Sequence, residues 1–231
     1  QAEWQTVRFS GLGSRGDAIL QIDWCIGELI NTLDRLHLIH NTLIILTSDN
    51  GPVVDDGYHD WSVEMLQDHK LAGALRGGKH SAFEGGTRVP FIVHWPNYVS
   101  PGVSNALVSQ IDLFSSLAAL TGQKMPEGAG PDSSDKLKTL LGNSQNGREY
   151  VINQSYSGTL SIIKDGWKYI ESSDRPKIDK DTEIELGNDP EPQLYNLKVN
   201  LGEKSNLARE YPEKVIELST LLQKIKNEVI F

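Results

Sequence analysis

An aspartate and an asparagine stand together at the end of a strongly apolar segment. Asp49 and Asn50 follow residues 42–47, a continuous run rich in β-branched side chains that predicts a strand buried on both faces. In open α/β sheets, ligand sites lie outside the carboxyl ends of strands. A carboxylate beside a carboxamide offers oxygen ligands, which suit a hard cation such as calcium or magnesium better than zinc. The order Asp-Asn-Gly-Pro is also typical of a simple turn, so the pattern alone leaves both interpretations open.

A lysine between two glycine pairs is the second candidate for a functional residue. Lys79 directly follows the pair at 77–78, and a further pair stands at 85–86. Paired glycines let a backbone approach an anion closely. A lysine ammonium offers three donors to a tetrahedral oxyanion, or to a leaving oxygen that gains charge. A solvated surface lysine would fit the same residues.

Three histidines lie close to these candidates in the sequence. His80 is adjacent to Lys79, and two others belong to the loop 53–75 that connects the aspartate to the lysine. We expect this loop to overhang the site, so that its histidines, His59 and His69, shape the pocket for the group that carries the anion. His80 is a candidate for the same pocket because it stands beside Lys79.

The elements that position these residues follow the order helix, strand, strand, helix. Apolar residues recur at spacings of three and four over residues 17–36 and again over 110–120, where Gly122 is the expected C-terminal stop. Residues 89–95 predict the second apolar strand. A helix that leads into a buried strand indicates a mostly parallel α/β sheet.

A change of composition predicts a boundary in the second half of the chain. Residues 124–148 are rich in Gly, Pro, Ser, Asp and Asn, which favours a linking loop. Beyond it, two apolar segments flank an Asp-Gly pair at 165–166 as a hairpin does, and Pro212 opens a final helix. We therefore expect residues 1–123 to belong to an α/β domain, and residues 149–231 to form a small α+β subdomain with an antiparallel sheet.

Composition excludes several classes of function. The net charge is −9 and the pI is near 5.1, which argues against nucleic acid or anionic lipid as a partner. No apolar run approaches the roughly 18 residues of a membrane helix. The single cysteine, Cys25, rules out an internal disulfide, and its position beside the apolar stripe of the first helix predicts packing in the core.

Three motifs in this order resemble the type I sulfatases, of the arylsulfatase kind, within the alkaline phosphatase superfamily. Residues 46–52 read LTSDNGP, residues 75–79 read LRGGK, and residues 83–90 read FEGGTRVP. The resemblance covers nearly the whole chain and corresponds to the C-terminal half of these enzymes. It implies an alkaline-phosphatase-like α/β sandwich with a small C-terminal unit, and hydrolysis of a sulfate ester to an alcohol or phenol and sulfate.

The same resemblance implies roles for individual residues. Asp49 and Asn50 would be two ligands of one calcium ion, and Lys79 would contact the sulfate and the oxygen that links it to the substrate. Nothing in the spacing of Glu84 and Arg88 directs them at the sulfate, so we expect either a buried ion pair or a loop brace for these two residues. Family members of this sort are commonly exported, which implies a periplasmic or secreted location.

The nucleophile of the family has no counterpart in the chain. In the family, the cysteine of a Cys-x-Pro-x-Arg motif becomes a formylglycine whose hydrate attacks sulfur, whereas Cys25 is followed by Ile26 and Gly27. Two acidic calcium ligands cannot be placed either, and residues 1–16 contain no sulfate-contacting histidine. We therefore expect a sulfatase fragment that is inactive alone and whose partner is the missing N-terminal half.

Two other functions remain open at this point. A phosphodiesterase or phosphatase of the same superfamily would use paired zinc ions, which would favour histidine where this chain has Asn50. A non-catalytic remnant or partner subunit would bind an anion or another chain without turnover, and the missing nucleophile agrees with it.

Overall fold

The computed structural model describes residues 10–228. The helices are α1 (Gly13–Arg35), α2 (Ser62–Met65), α3 (Glu84–Thr87), α4 (Asp112–Leu120), α5 (Leu137–Leu140) and α6 (Pro212–Glu228). The strands are β1 (Ile44–Thr47), β2 (Phe91–His94), β3 (Tyr150–Gln154), β4 (Leu160–Lys164), β5 (Trp167–Ile170) and β6 (Gln193–Asn196). β1 and β2 form one sheet, and the other strands form a second sheet in the order β3-β4-β5-β6.

β1 and β2 pair in antiparallel register. Ile44 lies opposite His94 and Thr47 lies opposite Phe91. The predicted strands and the α/β class are confirmed, but the expected parallel direction is wrong for these two strands. A continuous apolar run indicates burial on both faces, and it contains no information about the direction of the neighbouring strand.

The predicted hairpin of the C-terminal half is confirmed. β4 and β5 pair antiparallel up to Lys164 opposite Trp167, and the two residues between them make the turn. Asp165 and Gly166 have φ angles of 54° and 83°, the left-handed conformation that a two-residue hairpin turn requires. The Asp-Gly pair thus sets the register of a sheet whose strand pairs are all antiparallel.

Neighbouring side chains of β5 point to opposite faces of the sheet, and through them β5 contacts both halves of the molecule. Tyr169 packs toward α6, whose Leu218 is completely buried in the same cluster. The next residue, Ile170, faces the other side of the sheet and packs against Ala82 and Phe83. One face of this sheet therefore carries the terminal helix, and the other carries the segment that contains the third sequence motif.

Buried charges reinforce the second of these contacts. The ammonium of Lys168 on β5 is fully buried and lies 2.9 Å from Glu84 Oε1 and 3.1 Å from Glu203 Oε1. Arg88 Nη1 lies 3.2 Å from Glu84 Oε2, so the expected ion pair is present, although only its Glu84 end is buried. Burial raises the pKa of Glu203, because little water is present to stabilise its charge. Two cations thus balance two carboxylates at the base of α3.

The loops that bear the candidate residues touch through their backbones. The Gly51 N–H donates to Gly86 O at 2.9 Å, and the Lys79 N–H donates to Pro52 O at the same distance. A Cβ placed on Gly51 would lie 1.7 Å from Gly85 O, far inside van der Waals contact. Only glycine permits this approach, which fixes the loop after β1 against α3.

Helix α4 turns its polar face inward. Its buried residues are Asp112 and Ser116. Asp112 forms an ion pair with Arg148, and Ser116 Oγ accepts the N–H of Lys136 at 2.8 Å. The segment 124–148 is thereby fastened along α4, while the division of the chain at this segment stays a prediction.

Several apolar faces are not covered by residues 10–228. Among the residues of α1, only Gly16 is buried, and Cys25 is exposed. The predicted core position of Cys25 is therefore wrong, because a stripe at helical spacing identifies a face and not what covers it. Exposed apolar side chains of α1, β2 and α4 include Ile19, Ile22, Leu29, Ile92, Phe114 and Leu117. No helix within residues 10–228 combines the length and apolar character needed to cross a bilayer.

Replacing the buried lysine should destabilise the protein strongly. Lys168→Ala leaves two buried carboxylates without their shared cation, and we expect the free energy of unfolding to fall by about 3–5 kcal/mol. Lys164→Ala is the matched control, because Lys164 pairs with Glu149, which is mostly exposed, and should cost less than about 1 kcal/mol. Urea denaturation followed by tryptophan fluorescence measures both, and equal losses would contradict the role assigned to Lys168.

Adding one methyl group at the loop contact should also destabilise the protein. In Gly51→Ala the new Cβ meets backbone atoms that cannot rotate away, and we expect a cost of about 1–3 kcal/mol. Gly27→Ala is the control, since a Cβ there meets no atom within 4 Å and alanine is the better residue in a helix. A thermal melt should show a lower Tm for Gly51→Ala alone; similar Tm values would argue against a tight contact.

Candidate active site

The residues after β1 present oxygen atoms at the end of the strand. Asn50 Nδ2 donates to Gly51 O at 2.9 Å, and Asp49 Oδ1 accepts the Asn50 N–H at 2.9 Å. This arrangement leaves Asn50 Oδ1 and Asp49 Oδ2 as oxygens that can face a cation. Gln110, near the start of α4, donates to Ser48 O at 2.6 Å and anchors the end of the strand. The donor set therefore fits a hard cation, with two of the six to eight oxygens that calcium takes.

Lys79 lies beside an aspartate that the sequence motifs did not indicate. Its Nζ is 2.6 Å from Asp56 Oδ2, in the loop that follows β1. The hydrogen bond that Lys79 donates to Asp56 raises the pKa of Lys79, and the negative charge of Asp49 adds to the effect. The ammonium therefore stays charged at neutral and mildly alkaline pH.

Arg76 holds the glycine-lysine segment against the C-terminal sheet. Its guanidinium makes paired hydrogen bonds of 2.7 and 2.9 Å to Glu185 and donates to Glu203 O at 2.9 Å. The same group lies 4.0 Å from the centre of the Phe83 ring. The pairing with Glu185 raises the pKa of Arg76 and lowers that of Glu185. Three contacts thus fix the backbone that leads to Lys79.

His80 is held next to Lys79 in an uncommon backbone conformation. Its φ is 76°, a left-handed value that non-glycine residues seldom adopt. The imidazole lies against Tyr156, with ring centres 4.6 Å apart, and Nδ1 is 3.4 Å from Asp179 Oδ2. The adjacent residues Lys79 and His80 therefore contact different parts of the molecule.

His59 occupies a separate position on the loop. Its Nδ1 is 3.2 Å from Asp55 Oδ2, its Nε2 is 3.5 Å from Glu64 Oε1, and its ring packs beside Trp61. All of this lies on an exposed part of the loop. The structure does not bring His59 together with Asp49 and Lys79.

An open cleft of about 1400 Å³ joins the candidate residues. Four of the five predicted site residues line it: Asp49, Asn50, Lys79 and His80. Its other walls carry polar and aromatic side chains, among them Asn105, Gln110, Arg148, Asn153, Gln154 and Tyr156. A wide cleft with oxygen ligands and a fixed ammonium suits a large ligand that carries an anionic group.

Three contributors to the site were not found from the sequence. Asp56 and Tyr156 lie in loops, and each contacts a residue that is distant in the sequence. Lys168 has the sequence context of an ordinary strand lysine. The one hint in the sequence that Lys168 is buried is that the other residues of its strand are large and mostly apolar. Its burial became visible only with the fold.

Comparison with known proteins places these features in a family. The sulfatase family model matches residues 2–123. The N-acetylgalactosamine-6-O-sulfatase of Bacteroides thetaiotaomicron is 57% identical over 218 residues, which is 94% of this chain and 43% of that enzyme. Human arylsulfatase A is 35% identical over 140 residues, 61% of this chain and 26% of that enzyme. The chain thus spans less than half the length of these relatives.

A solved structure from the same bacterium has the same fold as this chain. It comes from a glycosaminoglycan-metabolising core genetic locus of Bacteroides thetaiotaomicron, and it superposes with a TM-score of 0.93 at 55% identity. The match covers 96% of this chain and 46% of that one. Because the family model matches more than half of its residues and the fold agrees, the chain belongs to the sulfatase family.

Proposed function

We propose that this chain forms part of a calcium-dependent sulfatase active site. Asp49 and Asn50 are two of the calcium ligands, and Lys79 binds the sulfate group and the oxygen that links it to the substrate. The observation that carries the proposal is the backbone contact between Gly51 and Gly86, which brings the loops of these residues together at one cleft.

A relative supports the substrate class that we propose. One relative is named for the removal of a 6-O-sulfate from N-acetylgalactosamine, and its identity of 57% extends over 94% of this chain. We therefore propose a 6-O-sulfated N-acetylgalactosamine as the substrate, with the free sugar hydroxyl and inorganic sulfate as products. The wide, polar cleft agrees with a sugar more than with a flat apolar ester.

The residues of this chain contribute electrostatics to that reaction. When bound, calcium neutralises the negative charge of the sulfate group. The Lys79 ammonium, kept protonated by Asp56, donates hydrogen bonds to the sulfate and to the linking oxygen. That oxygen gains negative charge as the ester bond breaks, so the ammonium stabilises the transition state more than the substrate.

The site needs atoms that this chain does not supply. Two oxygen ligands are too few for calcium, and the formylglycine nucleophile of the family has no counterpart among these residues. The exposed apolar faces of α1, β2 and α4 support a partner that covers them, which we propose is the N-terminal half of the catalytic domain. We expect the isolated chain to be inactive. Export to the periplasm or beyond belongs to the same proposal.

The two other functions fit less well. Paired zinc ions would require softer ligands than the carboxamide of Asn50, which counts against a phosphatase or phosphodiesterase. A non-catalytic anion-binding subunit would bind calcium and sulfate without turnover, and activity measurements distinguish it from an enzyme.

Removal of the carboxylate should weaken calcium binding. In the complete enzyme, in which this chain is joined to the N-terminal half, we expect Asp49→Ala to reduce calcium affinity at least about tenfold, because one charged ligand is lost. Isothermal titration calorimetry of the metal-stripped enzyme measures this. Asp68→Ala is the control, since Asp68 is exposed and does not line the cleft. Unchanged calcium affinity in Asp49→Ala would refute the assigned ligand.

Removal of the ammonium should affect turnover and leave the metal in place. We expect Lys79→Ala to lower kcat for a sulfate ester by about 10²–10³, the usual cost of losing one preorganised donor, with calcium affinity unchanged. Lys70→Ala, an exposed lysine of the same loop, should behave as wild type. A kcat within a few fold of wild type for Lys79→Ala would exclude a catalytic role. A folded, calcium-loaded wild type without any turnover would instead favour the non-catalytic subunit.

A further inference from the structure

We propose that Tyr156, supported by His80, forms the wall of the cleft that orients the sugar ring of the substrate. The inference rests on the proposed function and adds the residues that position the sugar beside the sulfate site. Tyr156 would contact the ring directly, and His80 would fix the plane of the tyrosine side chain.

The two rings are held together by their backbones as well as by their faces. The Tyr156 N–H donates to His80 O at 2.9 Å. The ring planes are inclined by 29° with centres 4.6 Å apart, which is a stacked arrangement. His80 keeps a left-handed φ of 76° in this contact, and such strain concentrates at functional sites. The position of the Tyr156 ring is therefore coupled to the residue next to Lys79.

Asp179 lies beside the Nδ1 edge of the imidazole. Its Oδ2 is 3.4 Å from His80 Nδ1, a contact that lacks hydrogen-bond geometry. Partial burial opposes the ionisation of Asp179, but hydrogen bonds from the backbones of Asp181 and Thr182 outweigh it and lower its pKa. The carboxylate is thus charged at neutral pH and attracts the Nδ1 edge, which sets the orientation of the imidazole ring.

Tyr156 stands on a rigid turn between β3 and β4. The Ser155 N–H donates to Thr159 O at 2.9 Å, and Thr159 Oγ1 donates to Asn188 Oδ1 at 2.6 Å. Both Ser155 and Thr159 are buried, whereas Tyr156 is 75% exposed. The turn holds its own shape without the tyrosine ring. An exposed ring on a fixed turn is available to a ligand and contributes little to folding.

The chemistry of this wall matches a sugar ring. One face of a pyranose consists of C–H groups, which pack on an aromatic face, while its hydroxyl and acetamido groups need hydrogen bonds. Asn153 and Gln154 line the cleft next to Tyr156 and offer amide donors and acceptors. Because Lys79, His80 and Tyr156 line the same cleft, a sugar whose sulfate meets the ammonium can lie against this wall.

Two substrates separate positioning of the sugar from binding of the sulfate. The complete enzyme is assayed with 6-sulfated N-acetylgalactosamine and with 4-nitrophenyl sulfate, whose activated leaving group depends mainly on the sulfate site. We expect Tyr156→Ala to raise KM for the sugar at least about fivefold, the scale of one aromatic contact, while kcat/KM for the aryl ester stays within twofold. Tyr156→Phe, which keeps the ring, should restore the sugar KM.

Two further variants complete the test. His80→Asn removes the imidazole but tolerates the left-handed backbone, and it should raise the sugar KM in the same direction. Tyr98→Ala is the control, because Tyr98 is also exposed and does not line the cleft. Equal effects of Tyr156→Ala on both substrates, no effect on either, or a Tyr156→Phe variant as defective as the alanine variant would overturn the inference. A wild type inactive toward both substrates would overturn the proposed function, and this inference with it.

Discussion

The buried ammonium of Lys168 is the contact on which the site depends most. It joins Glu84, in the motif that leads into β2, to Glu203 beyond the last strand. Removing two carboxylates from water is unfavourable unless a cation shares the same space, so these elements must meet in one arrangement. The segment 81–86 is buried throughout in consequence, although it consists largely of small and polar residues.

From this anchor the geometry extends to the reactive groups through backbone contacts. Gly51 packs against the anchored Gly85-Gly86 pair, and it directly follows the two proposed calcium ligands. Lys79 is fixed in turn by its N–H bond to Pro52. Both links are hydrogen bonds between main-chain groups. A preorganised site of this kind holds its donors in place before a substrate arrives, and that is the source of electrostatic stabilisation in the transition state.

The sequence predicted local features well and long-range contacts poorly. The turn at Asp165 and the position of Asp49 at the end of β1 follow from patterns within a few residues, and an ordered set of motifs identified the family. The direction of β2 relative to β1, the partner of Lys79 at Asp56 and the burial of Lys168 depend on residues far apart in the chain. Helical spacing on α4 likewise showed two faces without showing that the polar one, with Asp112, is turned inward.

The groups proposed for catalysis and for sugar recognition lie in different structural settings in this chain. Asp49 and Lys79 lie in loops packed so tightly that a single methyl group is excluded at Gly51, so these positions tolerate little change. Tyr156 belongs to an exposed turn on the C-terminal sheet, which can vary without disturbing the buried ion pairs. If this turn contacts the sugar, specificity can change by substitutions there while the sulfate chemistry stays the same. This separation gives a physical reason why one family can act on many sulfate esters.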